Sequence, residues 1–309
     1  MKLSIVLPVY GVEKYIEKCA VSLFSQTTTE DVEFVFVNDA TKDNSMLILK
    51  DVIQKFDDLK DKVHIINHKC NQGLAAARLT GLLAAKGDYI WLMDSDDWVE
   101  PDSIETIMKS LDVSPDVLYF NYFRNSKDEQ QVNVDKYYPT LLNCLCIRFT
   151  LCVWRMVVKR DIFTKNKCLP IPGIDMSEDI VLHSRIRYYF SSVIVLDKPL
   201  YHYRIDNTNS YVNNVGAKQM IQIVEGVKAI SAFYKVNDFS RNIRRCIAYK
   251  ALTTYSMVSQ ANEELYRSLS EILKDTSSIL YISFCFLRYN KSLCSFVANL
   301  YRKILIPCK

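Results

Sequence analysis

The chain has 309 residues, 49% of them hydrophobic and 24% charged, with a formal net charge of +4. This composition is typical of a globular protein with a large core, in one large or two smaller domains, and so mild a charge does not indicate nucleic-acid binding. Ten cysteines without a CxxC pair, four scattered histidines and no signal-peptide pattern predict a cytosolic protein with reduced thiols and no zinc site.

Strand and helix patterns alternate along the first 125 residues. Apolar runs predict strands at 3–10, 32–37, 63–66, 89–93 and 116–122, and helical spacing predicts helices at 12–25, 46–56 and 74–85. This order predicts an α/β fold with a mostly parallel sheet flanked by helices. Weaker patterns predict strands at 193–196 and 200–203, a mixed segment at 141–163, and helices after Gly216.

Polar or aromatic residues follow three of the predicted strands. They are Pro8-Val9-Tyr10, Asn38-Asp39 and Asp94-Ser95-Asp96. Ligands of parallel α/β sheets bind beyond the carboxyl ends of the strands. The three strand ends therefore predict one ligand-binding cleft.

The run Asp94-Ser95-Asp96-Asp97 follows an apolar strand directly. Like charges at such a point repel one another unless a cation lies among them. Alternation along an extended segment places Asp94 and Asp96 on one side, and two hard oxygen ligands suit Mg²⁺ or Mn²⁺ with a phosphorylated substrate. The alternative is capping of the next helix by Asp97 or Asp102, which requires one or two carboxylates.

Several short motifs occur in order along residues 3 to 211. They are Pro8 to Gly11, Val37 to Ser45, Asn71 to Gly81 and Asp94 to Asp97, then Val153-Trp154, Lys159 to Asp161, Ser177 to Asp179 and Tyr201 to Arg204. Together they resemble the motifs of family 2 glycosyltransferases, inverting enzymes of the GT-A fold with a Rossmann-like sheet. The sequence departs from the family pattern at Gly11, Asn38, Ala40 and Met156, which lie outside the acidic run.

The resemblance implies a nucleotide site formed by Pro8, Tyr10, Asp39, Arg78 and Asp94. Asp39 would accept a hydrogen bond from the donor's base, usually uracil, and Tyr10 would stack on that ring. A fork of donors on Arg78 would suit carbonyls and phosphates on the nucleotide side. The alternatives are a turn residue for Asp39, a core aromatic for Tyr10 and a surface arginine for Arg78.

The resemblance also implies a metal and diphosphate site. Asp96 would be the main ligand of Mn²⁺ or Mg²⁺, with Asp94 contacting ribose or metal-bound water, and the ion would bridge both phosphates. Arg204, or His202 beside it, would assist the diphosphate, and Trp154 belongs to the diphosphate or acceptor side. His202 packed in the interior is an equal alternative.

A base for the acceptor hydroxyl is the remaining requirement of direct inversion. By resemblance Asp179 is the expected base and Glu178 the reserve. Acidic residues also favour a first helical turn, so Ser177-Glu178-Asp179 alternatively marks a helix start, which is compatible with catalysis.

These roles predict the organisation and activity of the chain. Residues 1–211 would form the glycosyltransferase domain, with a nucleotide-sugar half at 1–125 and an acceptor half at 126–211, and 212–309 would be helical. The enzyme would move a hexosyl or N-acetylhexosaminyl group from a nucleotide-diphosphate donor, expected to be a UDP-sugar, to a hydroxyl of a saccharide or lipid-linked saccharide. The expected setting is synthesis of cell-surface polysaccharide or lipopolysaccharide.

Two other functions are open to this sequence pattern. One is an inactive sugar-nucleotide-binding or scaffold protein of the same fold, although retained repelling carboxylates argue against it. The other is a nucleotidyltransferase, which would be expected to carry a Gly/Arg/Lys-rich phosphate loop where Pro8 to Glu13 lies.

The C-terminal segment is basic and apolar. No acidic residue follows Asp275, while Arg288, Lys291, Arg302, Lys303 and Lys309 separate apolar runs that are too short to span a bilayer. Such a segment favours an amphipathic helix in the membrane interface, and hence a peripheral location on the inner face of the plasma membrane. A helical hairpin closing over the main domain is the alternative.

Overall fold

The computed structural model describes most of the chain. The described residues are 2–126, 129–134, 139–140, 143–144, 151–207, 216–257 and 263–277, with 280–281, 284–285, 292–293, 296–297 and 300. They form two compact units: Met1–Asp135, Cys152–Gly173 and Tyr189–Ser210 in the first, and Lys136–Leu151, Ile174–Tyr188 and Tyr211–Lys309 in the second. The domain boundary expected at residue 211 stays a prediction.

The described strands belong to one sheet in the first unit. They are β1 (Leu3–Val9), β2 (Val32–Asn38), β3 (Val63–Asn67), β4 (Tyr89–Leu92), β5 (Trp98–Val99), β6 (Val117–Asn125), β7 (Gln130–Asn133), β8 (Met156–Lys159) and β9 (Val193–Arg204). Their order is β3-β2-β1-β4-β8-β6-β9-β5, with β7 beside β6.

Helices follow most of these strands. In the first unit they are α1 (Ile16–Phe24), α2 (Ser45–Lys55), α3 (Leu74–Ala84), α4 (Ser103–Ser110) and α5 (Arg160–Lys165). α6 (Glu178–Tyr189) begins in the second unit, which also contains α7 (Ala217–Asn237), α8 (Arg241–Met257) and α9 (Glu263–Thr276). Short 3₁₀ helices occupy Asp57–Lys62, Leu111–Val113 and Val153–Arg155. The α/β class predicted from the sequence is confirmed.

The first four strands pair in parallel, in the order β3-β2-β1-β4. All residues of β1 and β4 are buried, which matches the continuous apolar runs that predicted them. Since parallel strands end at one edge, the loops after β1, β2, β3 and β4 are neighbours.

The other half of the sheet is mixed. β8 pairs antiparallel with both β4 and β6, while β6 and β9 are parallel. β9 is one strand where two were predicted, and register shifts near Asn121 accommodate the segment around Pro199. The predicted parallel arrangement therefore describes β1 to β4, and the sheet as a whole contains both kinds of pairing.

An aromatic cluster fills the first unit beneath the ends of β4 and β9. Trp91 packs edge-on against Phe120 at 5.5 Å between ring centroids, and its Nε1 donates to the carbonyl oxygen of Trp154 at 2.6 Å. The Trp154 ring stacks on Tyr201 at 4.5 Å. Such contacts bury large apolar area and fix the strand that carries Tyr201.

The second unit is helical in its described part. None of its described helices combines the length and apolar character that crossing a membrane requires. The tail expected to bind a membrane surface falls mostly outside the described residues, so both of its interpretations remain predictions.

Candidate nucleotide-binding and active site

Three hydrogen bonds join the loops at the carboxyl edge of the parallel strands. Asp39 N donates to the carbonyl oxygen of Val9 at 3.1 Å, and Met93 N donates to that of Val6 at 2.9 Å. Ser95 Oγ donates to the carbonyl oxygen of Pro8 at 2.6 Å. The structure thus brings together the three strand ends from which the sequence predicts a cleft.

The Asp39 carboxylate lies in a buried nest of donors. Oδ1 accepts from Gln72 N at 2.8 Å and is 2.7 Å from His68 Nδ1, and Oδ2 accepts from Gly73 N at 2.9 Å. Gly73 precedes α3 with φ of +95°, a conformation that favours glycine. Asp39 therefore lies at a helix N-terminus, where backbone donors stabilise a negative charge.

Tyr10 extends from this edge and is 51% exposed, so the core-aromatic alternative does not describe it. The loop that carries it is tied to the loop after β2. Gly11 N donates to Thr41 Oγ1 at 2.9 Å, and Glu13 N donates to Asp43 Oδ2 at 3.0 Å. These bonds tie the backbone that follows Tyr10 to the loop that follows Asp39.

Asp43 organises that connection. Its carboxylate also accepts from the hydroxyls of Thr41 at 2.7 Å and Ser45 at 2.6 Å. Burial acts to raise the pKa of Asp43, but the hydrogen bonds from Ser45, Thr41 and the backbone of Glu13 outweigh it and leave the pKa lowered.

Arg78 is buried, contrary to the surface alternative, and forms an ion pair through Nη2 with Asp94 Oδ1. The arginine is 1% exposed and the Asp94 side chain is 27% exposed. Two predicted nucleotide-binding residues are therefore in direct contact, and of the two only the carboxylate is partly exposed to solvent.

Asp97 is the interior carboxylate of the acidic run. It accepts from Tyr201 Oη at 2.6 Å and from Arg204 N at 2.7 Å. Burial, followed by the charges of Asp96 and Asp94, raises the pKa of Asp97 well above its ordinary value, although both hydrogen bonds oppose that rise. The local excess of negative charge is what a cation would neutralise.

Asp96, unlike Asp97, is only half-buried. Its Oδ2 accepts from Asn207 Nδ2 at 2.7 Å, and its carbonyl oxygen accepts from Arg204 Nε at 2.9 Å. Asn207 belongs to none of the motifs in the sequence, so its contact with Asp96 was missed. Its position three residues after Arg204 was the available signal.

Cations and aromatic rings surround the end of the acidic run. The Arg204 guanidinium lies 4.6 Å from the Tyr15 ring centroid and 4.9 Å from that of Trp98. Lys18 Nζ lies 3.2 Å from the Trp98 centroid. Sequence reasoning missed Lys18 and Tyr15, which lie on or beside α1, more than 70 residues before Trp98.

His202 and Trp154 lie in packed surroundings. The His202 ring stacks between Trp98 at 4.8 Å and Phe123 at 4.6 Å, and its Nε2 contacts Glu100 Oε1. Burial lowers the pKa of His202, and the Glu100 contact opposes this shift. The packed alternative describes His202, and Trp154 is 2% exposed.

Glu178 and Asp179 lie in the second unit, in the first turn of α6, so the helix-start interpretation describes their location. Gln222 of α7 holds the preceding segment. Met176 N donates to Gln222 Oε1 at 3.0 Å, and Ser177 Oγ donates to the Gln222 carbonyl oxygen at 3.2 Å. A second element thus fixes the residues that lead into the acidic pair.

The carboxylate oxygens of Asp94 and Asp96 suit a divalent cation that binds together with a substrate. Among the described residues, no three His, Cys, Asp or Glu side chains converge to hold an ion by themselves. Over the same residues, Asp96 Oδ1 makes no hydrogen bond. Mg²⁺-type ions are commonly held by one or two carboxylates, with phosphates and water completing the shell.

The family of the chain follows from a sequence comparison. Residues 4–166 match the model of the glycosyl transferase family 2, more than half of the chain. The chain belongs to this family. It is 32% identical over 221 residues to the glycosyltransferase GlyA of Streptococcus pneumoniae, a match that covers 66% of this chain but only 30% of GlyA.

Solved structures show the same fold. Staphylococcus aureus TarS (residues 1–349) in complex with UDP-GlcNAc has a TM-score of 0.74 and 18% identity, covering 99% of this chain and 90% of that one. A mannosyltransferase of Pyrobaculum calidifontis with GDP-mannose and Mn²⁺ has a TM-score of 0.60 and 15% identity, covering 98% and 87%. The predicted GT-A fold is confirmed.

Proposed function

We propose that this family 2 protein is a glycosyltransferase that transfers a hexosyl or N-acetylhexosaminyl group from a UDP-sugar to an acceptor hydroxyl, with inversion. The main support for the proposal is one edge of the sheet, where Asp39 follows β2 and Asp94 and Asp96 follow β4, on either side of β1, with Arg78 paired to Asp94. Asp39 offers a hydrogen-bond acceptor to a nucleobase, Arg78 supplies a buried positive charge, and the carboxylate oxygens of Asp94 and Asp96 suit a metal ion bound to a diphosphate.

The nucleoside would lie along Pro8, Tyr10 and Asp39. The half-exposed Tyr10 ring offers a stacking face, and the Asp39 carboxylate offers an acceptor to a ring N–H. Arg78 would hold Asp94 toward the ribose through their ion pair. All of these groups belong to the first unit.

The diphosphate would lie against Asp96 with Mn²⁺ or Mg²⁺. The carboxylate oxygens of Asp94 and Asp96 support the choice of these metal ions. Such an ion neutralises negative charge that develops on a departing diphosphate. Arg204 would add positive charge there, because its guanidinium is held between two aromatic rings and the Asp96 carbonyl oxygen. Placed this way, the cations would stabilise the leaving group.

Asp179 would take the proton from the acceptor hydroxyl, with Glu178 as the reserve. Inversion in one step requires a carboxylate within hydrogen-bond reach of the attacking oxygen, on the sugar face opposite the leaving group. The helix start and the Gln222 hydrogen bonds support this role, because they fix the segment that leads into the acidic pair.

The acceptor would be a saccharide or a lipid-linked saccharide in cell-surface polysaccharide or lipopolysaccharide synthesis. The basic, apolar C-terminal sequence supports a location on the cytoplasmic face of the membrane, where such an acceptor is reached. Co-sedimentation with anionic vesicles tests this part: we expect binding that weakens as salt is added, and no binding at low salt would contradict it.

Slow hydrolysis of the donor tests the central proposal without knowledge of the acceptor. The protein is incubated with Mn²⁺ and a panel of sugar nucleotides, and release of the nucleoside diphosphate is measured. We expect release from one or a few UDP-sugars, abolished by EDTA. Release only from GDP- or dTDP-sugars would overturn the choice of donor, and full activity in EDTA would overturn the metal requirement.

A further inference from the structure

The hydrogen bonds of Asp39 leave one acceptor position open. A carboxylate offers about four lone-pair positions, two on each oxygen. Oδ1 is occupied twice, by His68 and Gln72, and Oδ2 once, by Gly73. In the described part of the chain the Asp39 carboxylate accepts no further hydrogen bond, so Oδ2 retains one position.

His68 is held so that its Nδ1 faces Asp39. Its Nε2 lies 2.9 Å from Thr80 Oγ1 on α3, and its backbone N donates to the Asn38 carbonyl oxygen at 2.9 Å. The side chain is 6% exposed. Since an ionised carboxylate only accepts, Nδ1 is the donor in the contact with Oδ1.

We propose that His68 is a specificity-determining residue for the base of the nucleotide donor, an inference that rests on the proposed role of Asp39. By filling Oδ1, His68 leaves a single acceptor position for the base. Uracil presents one ring N–H between two carbonyls, which one position on Oδ2 satisfies. Guanine presents a ring N–H beside an amino group, a pair that would require both carboxylate oxygens.

The other two common bases are also disfavoured by this arrangement. The pairing edges of cytosine and adenine carry a ring nitrogen that accepts hydrogen bonds, and a carboxylate repels such an acceptor. The fold itself does not choose the base, so the occupancy of Asp39 by His68 supplies the discrimination between uridine and guanosine donors.

Affinity measurements with two nucleotides test this inference. The dissociation constants of UDP and GDP are measured by calorimetry with Mn²⁺ for the natural protein, His68→Leu and His68→Asn. The amide of Asn reaches the position of Nδ1 and restores a donor to Oδ1. We expect a UDP preference of roughly 10-fold or more, which falls by about 10-fold in His68→Leu and is retained in His68→Asn.

The outcomes separate this inference from the proposed function. If the natural protein prefers UDP and His68→Leu keeps the same preference, the role of His68 is overturned while the donor site stands. Binding of neither nucleotide, or a preference for GDP, would overturn both. Circular dichroism checks folding, and His68→Ala replaces His68→Leu if that variant does not fold.

Discussion

The three carboxylates of the acidic run differ in what surrounds them. Asp97 is buried and bonded to Tyr201 and Arg204 through both oxygens, whereas Asp94 is engaged by Arg78. Asp96 is half-buried, with its hydrogen bond to Asn207 on one oxygen. Neighbouring carboxylates thus differ in role: Asp97 joins the loop to β9, and Asp96 is the one proposed to present an oxygen to a ligand.

Replacing Asp96 tests this division at the level of one residue. Asp96→Asn keeps the shape but removes the charge of the proposed main metal ligand, so donor hydrolysis with Mn²⁺ should fall by roughly 100-fold or more. The melting temperature should change little. Asp112→Asn, in an exposed ion pair with Lys2, is the matched control and should keep full activity. An Asp96→Asn variant with full activity would show that Asp96 is not the metal ligand.

Asp43 gives a prediction for pH dependence. Because its pKa is lowered in the folded protein, its stabilising effect is present above the unfolded pKa of about 4 and is lost as pH falls through the folded pKa. Asp43→Asn should destabilise the protein by about 1–2 kcal/mol at pH 7. Denaturant unfolding of both proteins at several pH values measures this, and a difference that grows below pH 4 would contradict it.

At the level of elements, the start of α6 depends on close contact with α7. A Cβ atom placed on Gly226 would lie 2.2 Å from Ser177 Oγ and 3.1 Å from Val181 Cγ2. Glycine at this position therefore permits the approach that the Gln222 hydrogen bonds require. The helical segment after residue 216 has a task in the fold, namely to hold the residues that precede Glu178.

Gly226→Ala should disturb that contact specifically. We expect a loss of about 1–3 kcal/mol in stability, since the added methyl group must displace Ser177. Donor hydrolysis should fall, while the dissociation constant of UDP stays the same because its proposed contacts lie in the first unit. Lys228→Ala, at an exposed position of the same helix, is the control. A weaker UDP affinity would show that the effect reaches the nucleotide site.

Elements β1 to β4 could be predicted from the sequence because each is a buried apolar run with a clear boundary. β5 has two residues and β8 has four, too few for a periodicity, and β8 inserts antiparallel between β4 and β6. The strand ends identified Asp39, Asp94 and Asp96. His68 and Asn207 were missed because their contacts with those residues arise from the tertiary fold.

At the level of the whole molecule, the candidate residues divide between the two units. Those proposed for donor and metal binding lie in the first unit, and Glu178 and Asp179 lie in the second. Binding and chemistry should therefore respond to different substitutions.

Asp179→Asn tests this separation. It keeps the shape but removes the proposed base, so donor hydrolysis should fall by roughly 100-fold or more while the dissociation constant of UDP is unchanged. Glu178→Gln is the paired variant and should retain more activity. An inactive Glu178→Gln with an active Asp179→Asn would move the base by one residue, and two active variants would place it elsewhere.

A crystal structure of the protein with a UDP-sugar and Mn²⁺ would show directly whether the donor binds at Asp39 and Asp96. We predict a uracil ring against Tyr10, with its N3 within hydrogen-bond distance of Asp39 Oδ2. Anomalous scattering should place Mn²⁺ at Asp96, between the carboxylate and the diphosphate. A nucleotide bound away from Asp39 would contradict the proposed nucleotide site. An anomalous peak away from Asp96 would contradict the proposed metal site.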